Sequence, residues 1–182
     1  MLSQNQIQNI FNDLFPLNRS LTGPGVLKTF EYLRNEHLKN AHLKSIKSGS
    51  IVFDWRVPPE WTLYDAYIKN GVGKKIIDIA DSNLHVASYS SSVNDKISKE
   101  ELLKRLYTLP SQPDVIPYRT TYYKKDWAFC CKHTLIESKN FVGPFEVYID
   151  SKHDEYGKLN WLEATKQGSL DKEILISTYC CH

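Results

Sequence analysis

The chain has 182 residues, room for one ordinary domain or two small ones on the usual scale of about 100–200 residues per domain. Its 23 Lys and Arg against 21 Asp and Glu leave a net charge of +2, which excludes a protein drawn to nucleic acid or a membrane surface by bulk charge. With 41% apolar and 24% charged residues the composition is that of a globular chain with a core, not a disordered one. No apolar run approaches the roughly 18–20 residues of a membrane span, and the start, Met1 to Gln6, has neither the basic region nor the apolar block of an export signal. A reduced, cytoplasmic setting is the expectation. The cysteines form two adjacent pairs, Cys130-Cys131 and Cys180-Cys181. Neighbours seldom bridge each other, bridges between the pairs stay open, and buried thiols are the simpler reading.

In chain order, Gln4 to Phe15 sets Ile7, Ile10, Phe11, Leu14 and Phe15 at helical spacing and predicts an amphipathic helix ended by Pro16. A second helix is expected from Thr22, whose hydroxyl would cap it, with Val26, Leu27, Phe30 and Leu33 on one face. The period then changes. Leu43 to Ile46 and Ile51 to Trp55 predict strands around a Ser48-Gly49-Ser50 turn, and Pro58-Pro59-Glu60 predicts the opening of a short helix through Leu63, Ala66 and Tyr67. Lys75 to Ile79 and Leu84 to Tyr89 read as strands separated by a turn at Asp81-Ser82-Asn83. Ser98 with Glu101 is a capping box for a helix over Lys99 to Tyr107. Pro110, Pro113 and Pro117 make an extended connector, and Trp127 to Cys131 is an apolar strand.

The last third reads as strands at Phe145 to Asp150 and Leu159 to Ala164, then a Gly168-Ser169 turn. Ile174 to Cys181 is almost unbroken apolar or small, the pattern of a strand covered on both faces in a parallel α/β sheet. Such a strand needs neighbours and covering helices that these residues do not supply, so we expect the front part of a larger α/β protein.

His182 follows that run, at the strand end where open α/β sheets build their crevices. Spacing alone favours a terminal histidine without a role over a metal ligand. A zinc cluster of Cys130, Cys131 and His133 with Cys180, Cys181 and His182 is disfavoured against core thiols, because adjacent strand residues point to opposite faces and no Cys-x-x-Cys spacing exists. No base is assigned to a nucleophilic cysteine. Trp55, Trp61, Tyr64, Tyr67, Tyr118, Tyr122, Tyr123, Trp127 and Phe129 crowd the middle of the chain. Most are expected in a core, the alternative being a pocket lining with Arg119, Lys124 and Lys125 as anion-binding neighbours. His85 is expected to be a structural histidine, and Gly23-Pro24-Gly25 is no phosphate loop. Lys152 to Lys158 reads as a solvated turn.

Several stretches together carry a resemblance: Arg19-Ser20-Leu21-Thr22-Gly23, Ser48-Gly49, Val52 through Trp61, Ser82 through Val86, Ser88-Tyr89-Ser90, Leu109-Pro110 through Ile116-Pro117-Tyr118, Tyr122-Tyr123 with Trp127, and Glu173 to His182. In this order they resemble the bacterial aminopeptidase-like family, distant relatives of the co-catalytic-zinc aminopeptidases often found in surface-polysaccharide gene clusters. The resemblance implies an incomplete α/β zinc-peptidase-like fold with an inserted small α+β domain. Residues 1–48 would hold the N-terminal helices and first strand, 49–133 the insertion, and 134–182 the return to the truncated peptidase-like domain. It places the first zinc ligand on His182. The other ligands and the general-base glutamate would lie downstream, as would a winged-helix domain.

In such relatives two zinc ions activate a bridging water for peptide or amide hydrolysis. One histidine cannot hold a catalytic zinc, so the 182-residue chain is expected to be inactive and not to bind zinc tightly, with no catalytic residue of its own. The expected substrate is a peptide or small amide, with no nucleic-acid or membrane partner and the oligomeric state open. Two alternatives stand beside this: a non-catalytic binding or assembly protein on a peptidase scaffold, and a transferase or N-deacylase acting on a sugar-linked amide. An inserted domain that roofs the cleft and selects substrates is a further expectation.

Overall fold

The computed structural model describes residues 3–122 and 124–180. The chain forms two compact units, one from Trp61–His153 and one from the segments on either side, up to Glu60 and from Asp154 onward. The inner unit thus begins and ends later than the 49–133 expected for an insertion.

Helix α1 (Gln4–Leu14) opens with a capping box in which Ser3 and Gln6 bond reciprocally, a signal the apolar periodicity alone did not use. Helix α2 (Pro24–Glu36) starts after Gly23. The expected Thr22 cap is therefore corrected: Pro24, whose missing N–H costs nothing in the first turn, sets the start. Strand β1 (His42–Lys47) is followed by a tight hairpin, β2 (Ile51–Val52) and β3 (Trp55–Arg56), in place of one strand from 51 to 55. Phe53 turns the chain with φ 55° and is 96% exposed. The expected turn at Gly49 holds, with φ 82° that glycine takes without strain.

Strand β4 (Glu60–Lys69) replaces the helix expected through Leu63, Ala66 and Tyr67. Trp61, Thr62, Tyr64, Tyr67 and Ile68 favour a pleated surface, and strands on both sides supply the hydrogen bonds a helix would have made internally. Strand β5 (Lys75–Asp78) follows as expected. The predicted strand from Leu84 is instead a 3-10 turn over Asn83–His85 and a buried irregular stretch to Ser90. Strand β6 (Val93–Ile97) was hidden by its polar centre, Asn94-Asp95-Lys96. Helix α3 (Lys99–Leu103) has the predicted capping box but stops early, because Leu106–Tyr107 becomes β7, parallel to β8 (Phe129–Cys130). Helix α4 (His133–Glu137), strand β9 (Phe145–Asp154) and strand β10 (Lys158–Glu163) complete the order.

In the inner unit a four-stranded sheet runs β5-β4-β9-β6. The placement of β9 beside β6, from Val93↔Ile149 to Ile97↔Phe145, is what carries this unit past residue 133. One sheet face buries Ala66, Ile68, Ile77, Phe145, Val147 and Ile149 against Val86, Leu102, Leu106 and Phe129. Each large apolar side chain so buried contributes about 1.5–3 kcal/mol. In the outer unit β1 pairs antiparallel with β10 from His42↔Glu163 to Lys47↔Lys158, and α2 packs on β10.

The expected doubly covered strand at Ile174 to Cys181 is not found among the described residues. Residues 164–180 contain no helix or strand, and Ile174, Leu175, Ile176 and Tyr179 are 87–91% exposed. An apolar run becomes a strand only beside a strand that takes its N–H and C=O groups, and no described strand lies there. Cys181 and His182 lie outside the described residues. No helix among the described residues is long and apolar enough to cross a membrane.

Candidate functional site

The stretch Ser88-Tyr89-Ser90 sits at the centre of the inner unit. Tyr89 is 4% exposed and has φ 65°, a conformation that costs a bulky residue about 1–3 kcal/mol and persists only where its surroundings enforce it. Its ring stacks on Trp61 at 5.8 Å and 16° and meets Tyr122 edge-on at 5.2 Å, and the His153 ring lies 5.8 Å away. The backbone is held as firmly. Trp61 Nε1 donates to Ser90 O at 3.0 Å, Ser151 Oγ donates to the same oxygen at 2.8 Å, and His153 Nε2 lies 3.2 Å from Tyr89 O. Ser90 Oγ donates to Ala87 O and accepts from Ala128 N.

The left-handed turn at Tyr89 leaves Ser88 facing the loop that follows Pro117. Ser88 N donates to Arg119 O at 2.9 Å, and Ser88 O accepts from Thr121 N at 2.8 Å and from both the Thr120 and Thr121 hydroxyls at 3.2 Å. An exposed loop is thereby pinned to a buried strand-like segment. Its outer side carries Tyr118, Arg119, Lys124 and Lys125, all exposed. The Arg119 guanidinium lies over the Tyr107 ring at 5.7 Å. Beside it Arg105 lies over Trp127 at 4.6 Å and pairs with Asp126. Partial burial alone would raise the Asp126 pKa, but Arg105 and the Trp127 N–H more than reverse this and hold it below the usual carboxylate range.

Of the expected site residues, His182 lies outside the described residues, so the structure gives it no partner set. Cys130 and Cys131 are buried free thiols whose pKa values desolvation pushes up to about 12, which keeps them protonated and poor as ligands or nucleophiles. His133 Nδ1 pairs with Thr108 Oγ1 at 2.9 Å. Among the described residues no group of three or more His, Cys, Asp or Glu could hold a metal. A catalytic zinc needs three protein ligands, so the described residues do not fit one.

His85 is buried with Nδ1 2.8 Å from Cys130 O, the structural role expected. The reading of Lys152 to Lys158 as one turn is corrected. Strand β9 runs through Asp154, the reversal is confined to residues 155–157, and His153 belongs to the Tyr89 cluster. No sequence signal marked the Tyr89 backbone, since the position itself holds neither glycine nor asparagine.

The comparisons with known proteins fall on this same unit. Residues 60–152 match a family described as a domain of unknown function, DUF2172. The chain belongs to that family. The DUF2172 match and the compact unit Trp61–His153 nearly coincide, so Trp61, Tyr89, Tyr122 and the pinned loop lie within the matched residues, with His153 just beyond them. Over 177 residues the chain is 42% identical to a Clostridium acetobutylicum protein called "Putative polysaccharide biosynthesis protein with aminopeptidase-like domain". It is also similar to a crystal structure of a "putative peptidase" from the same organism, with 40% identity, a TM-score of 0.79 and 86% of the chain covered. Over the covered residues the chain shares the fold of that protein, which is consistent with the peptidase-like fold the motifs implied. The chain spans 40% of the length of the first relative and 36% of the second.

Proposed function

We propose that these residues are the N-terminal part of an aminopeptidase-like hydrolase acting on a peptide or amide bond in surface-polysaccharide biosynthesis. What supports the reading most is the 42% identity across 97% of the chain with a relative carrying both the polysaccharide and the aminopeptidase-like names. Within it, the DUF2172 unit is an insertion beside the catalytic cleft, and His182 is one ligand of a zinc centre completed by residues outside this chain. Zinc, when bound, would supply the activated water. The 182 residues contribute folding and recognition and are inactive alone.

The test compares the 182-residue chain with a family polypeptide of the relative's length on aminoacyl chromogenic substrates, after chelation and after zinc is restored. Hydrolysis by the longer form alone, recovered with zinc, is the expected outcome. Comparable turnover by the 182-residue chain, or turnover indifferent to chelation, sinks the reading.

A further inference from the structure

Outside the Tyr89 cluster, the inner unit brings together a hydroxyl, an imidazole and a carboxylate. Thr108 follows β7 and His133 opens α4, and Thr108 Oγ1 lies 2.9 Å from His133 Nδ1. One helical turn on, Glu137 Oε1 lies 3.9 Å from His133 Nε2. Both supports are fixed. Tyr107 O accepts from Cys131 N at 3.0 Å beside the β7-β8 pairing, Thr134 N donates to Pro113 O at 3.3 Å, and Leu135 and Ile136 pack α4 on the core. Among the described residues the three side chains make no other hydrogen bond or ion pair. The His133 and Glu137 side chains are 27% and 69% exposed and Thr108 is half-buried, so the group is open to solvent.

A carboxylate beside Nε2 favours the tautomer that keeps its proton there, and Nδ1 then presents its lone pair to the Thr108 hydroxyl. The order hydroxyl, imidazole, carboxylate is the one by which a weak nucleophile is activated, and it is recognised by geometry and roles, whichever ring nitrogen faces which partner. Cys131, two residues before His133, does not compete, because burial pushes its thiol up to about 12. We propose that Thr108 is a catalytic nucleophile toward a small acyl ester, with His133 as its general base and Glu137 as a positioning residue. Thr108 Oγ1 bonds to the acyl carbon as its proton passes to His133 Nδ1, the C–O bond to the alcohol breaks, and the alcohol leaves with that proton. Water then attacks the acyl-threonine with His133 as base, the carboxylic acid is released, and Thr108 regains its hydrogen. This activity goes beyond the zinc-hydrolase reading and does not depend on it. The chain stays inactive on peptide and amide bonds, whose amine leaving groups are far poorer.

The experiment follows hydrolysis of p-nitrophenyl acetate by the 182-residue chain, with accessible thiols alkylated and a chelator present, and maps acetylated residues by peptide mass spectrometry after acid quench. Acetyl is expected on Thr108. Thr108→Val and His133→Gln should each lower turnover by about a hundredfold, the low end of what a positioned base supplies, whereas Thr108→Ser should keep it. Glu137→Ala should lower kcat by about threefold to fivefold with KM unchanged, the scale of an exposed charge pair. Acetylation confined to lysines, wild-type turnover in Thr108→Val or His133→Gln, an unchanged kcat in Glu137→Ala, or turnover lost to the chelator would each overturn the proposal. Circular dichroism checks that each variant folds, and the adduct is mapped on the unaltered chain, which decides the matter even where a variant does not. A hydrogen bond that merely tied the connector to α4 would leave no acyl-threonine. Ester turnover by this chain under chelation and zinc-dependent amide hydrolysis by the longer polypeptide are separate readouts, so the two ideas fail separately.

Discussion

Tyr89 is where local preference and tertiary demand conflict most openly. Its backbone conformation suits glycine, yet its ring fills the space between Trp61, Tyr122 and His153. Two substitutions separate these terms. Tyr89→Ala removes the ring contacts and keeps a Cβ in the left-handed region, so it should lower unfolding stability by about 3 kcal/mol, the low end for a buried aromatic. Tyr89→Gly loses the same contacts but relieves the backbone, and should be about 1 kcal/mol less damaging than the alanine variant. Urea unfolding measures both, and the usual order, with glycine worse than alanine, would show that the turn is unstrained. The aromatic residues were legible as core candidates from composition. The backbone turn was not, because Ser-Tyr-Ser carries no glycine or asparagine to announce it.

At the scale of elements, the outer face of the β5-β4-β9 part of the sheet carries charge where the inner face carries the core. Tyr67 and Tyr148 stack at 5.0 Å, Lys69 bonds Glu146 and Lys75 bonds Asp78, each at 2.7 Å, and both ammonium groups lie 4.7 Å from the Tyr67 ring centre. The Lys75 bond and the Ala80 N–H hold the Asp78 carboxyl below its ordinary range, and Lys69 does the same for Glu146. A lowered folded pKa stabilises above the unfolded value of about 3.9 for Asp and 4.3 for Glu, and that stabilisation is lost as pH falls through the folded value. The urea midpoint should therefore drop below about pH 4, and Asp78→Asn should flatten part of that drop. An unchanged acid limb in the variant would remove Asp78 from the account. The raised Lys69 and Lys75 work in the opposite direction, losing their contribution as pH climbs past about 10.4 through their folded values. The helix expected at Leu63 to Tyr67 was misread for a related reason. One face of β4 buries Ala66 and Ile68 while Tyr67 and Lys69 face these charges, and over so few residues that alternation passes for a helical stripe.

For the whole molecule, the question is the apolar run from Ile174. In this chain it is exposed and irregular. Backbone amides of residues 174–180 should exchange with deuterium at close to unstructured rates, whereas those of β4 and β9 should be strongly protected. In a family polypeptide of the relative's length the same amides should become protected, if the run enters a sheet there as its composition predicts. Protection already present in the 182-residue chain, or absent from both forms, would count against that arrangement.

The sequence by itself determined the local punctuation and the family. The capping box at Ser98, the turn at Gly49, the alternation in β9 and the ordered motifs from Arg19 to His182 are short-range signals, legible because each depends on a few adjacent residues. Only the tertiary structure decided that Glu60 to Lys69 is a strand, that Val93 to Ile97 closes the sheet, that Tyr89 turns left-handed and that Ile174 to Tyr179 is unpaired here. Each of these depends on whether a distant segment offers hydrogen bonds or rings to receive it, and that partner is not written in the residues themselves.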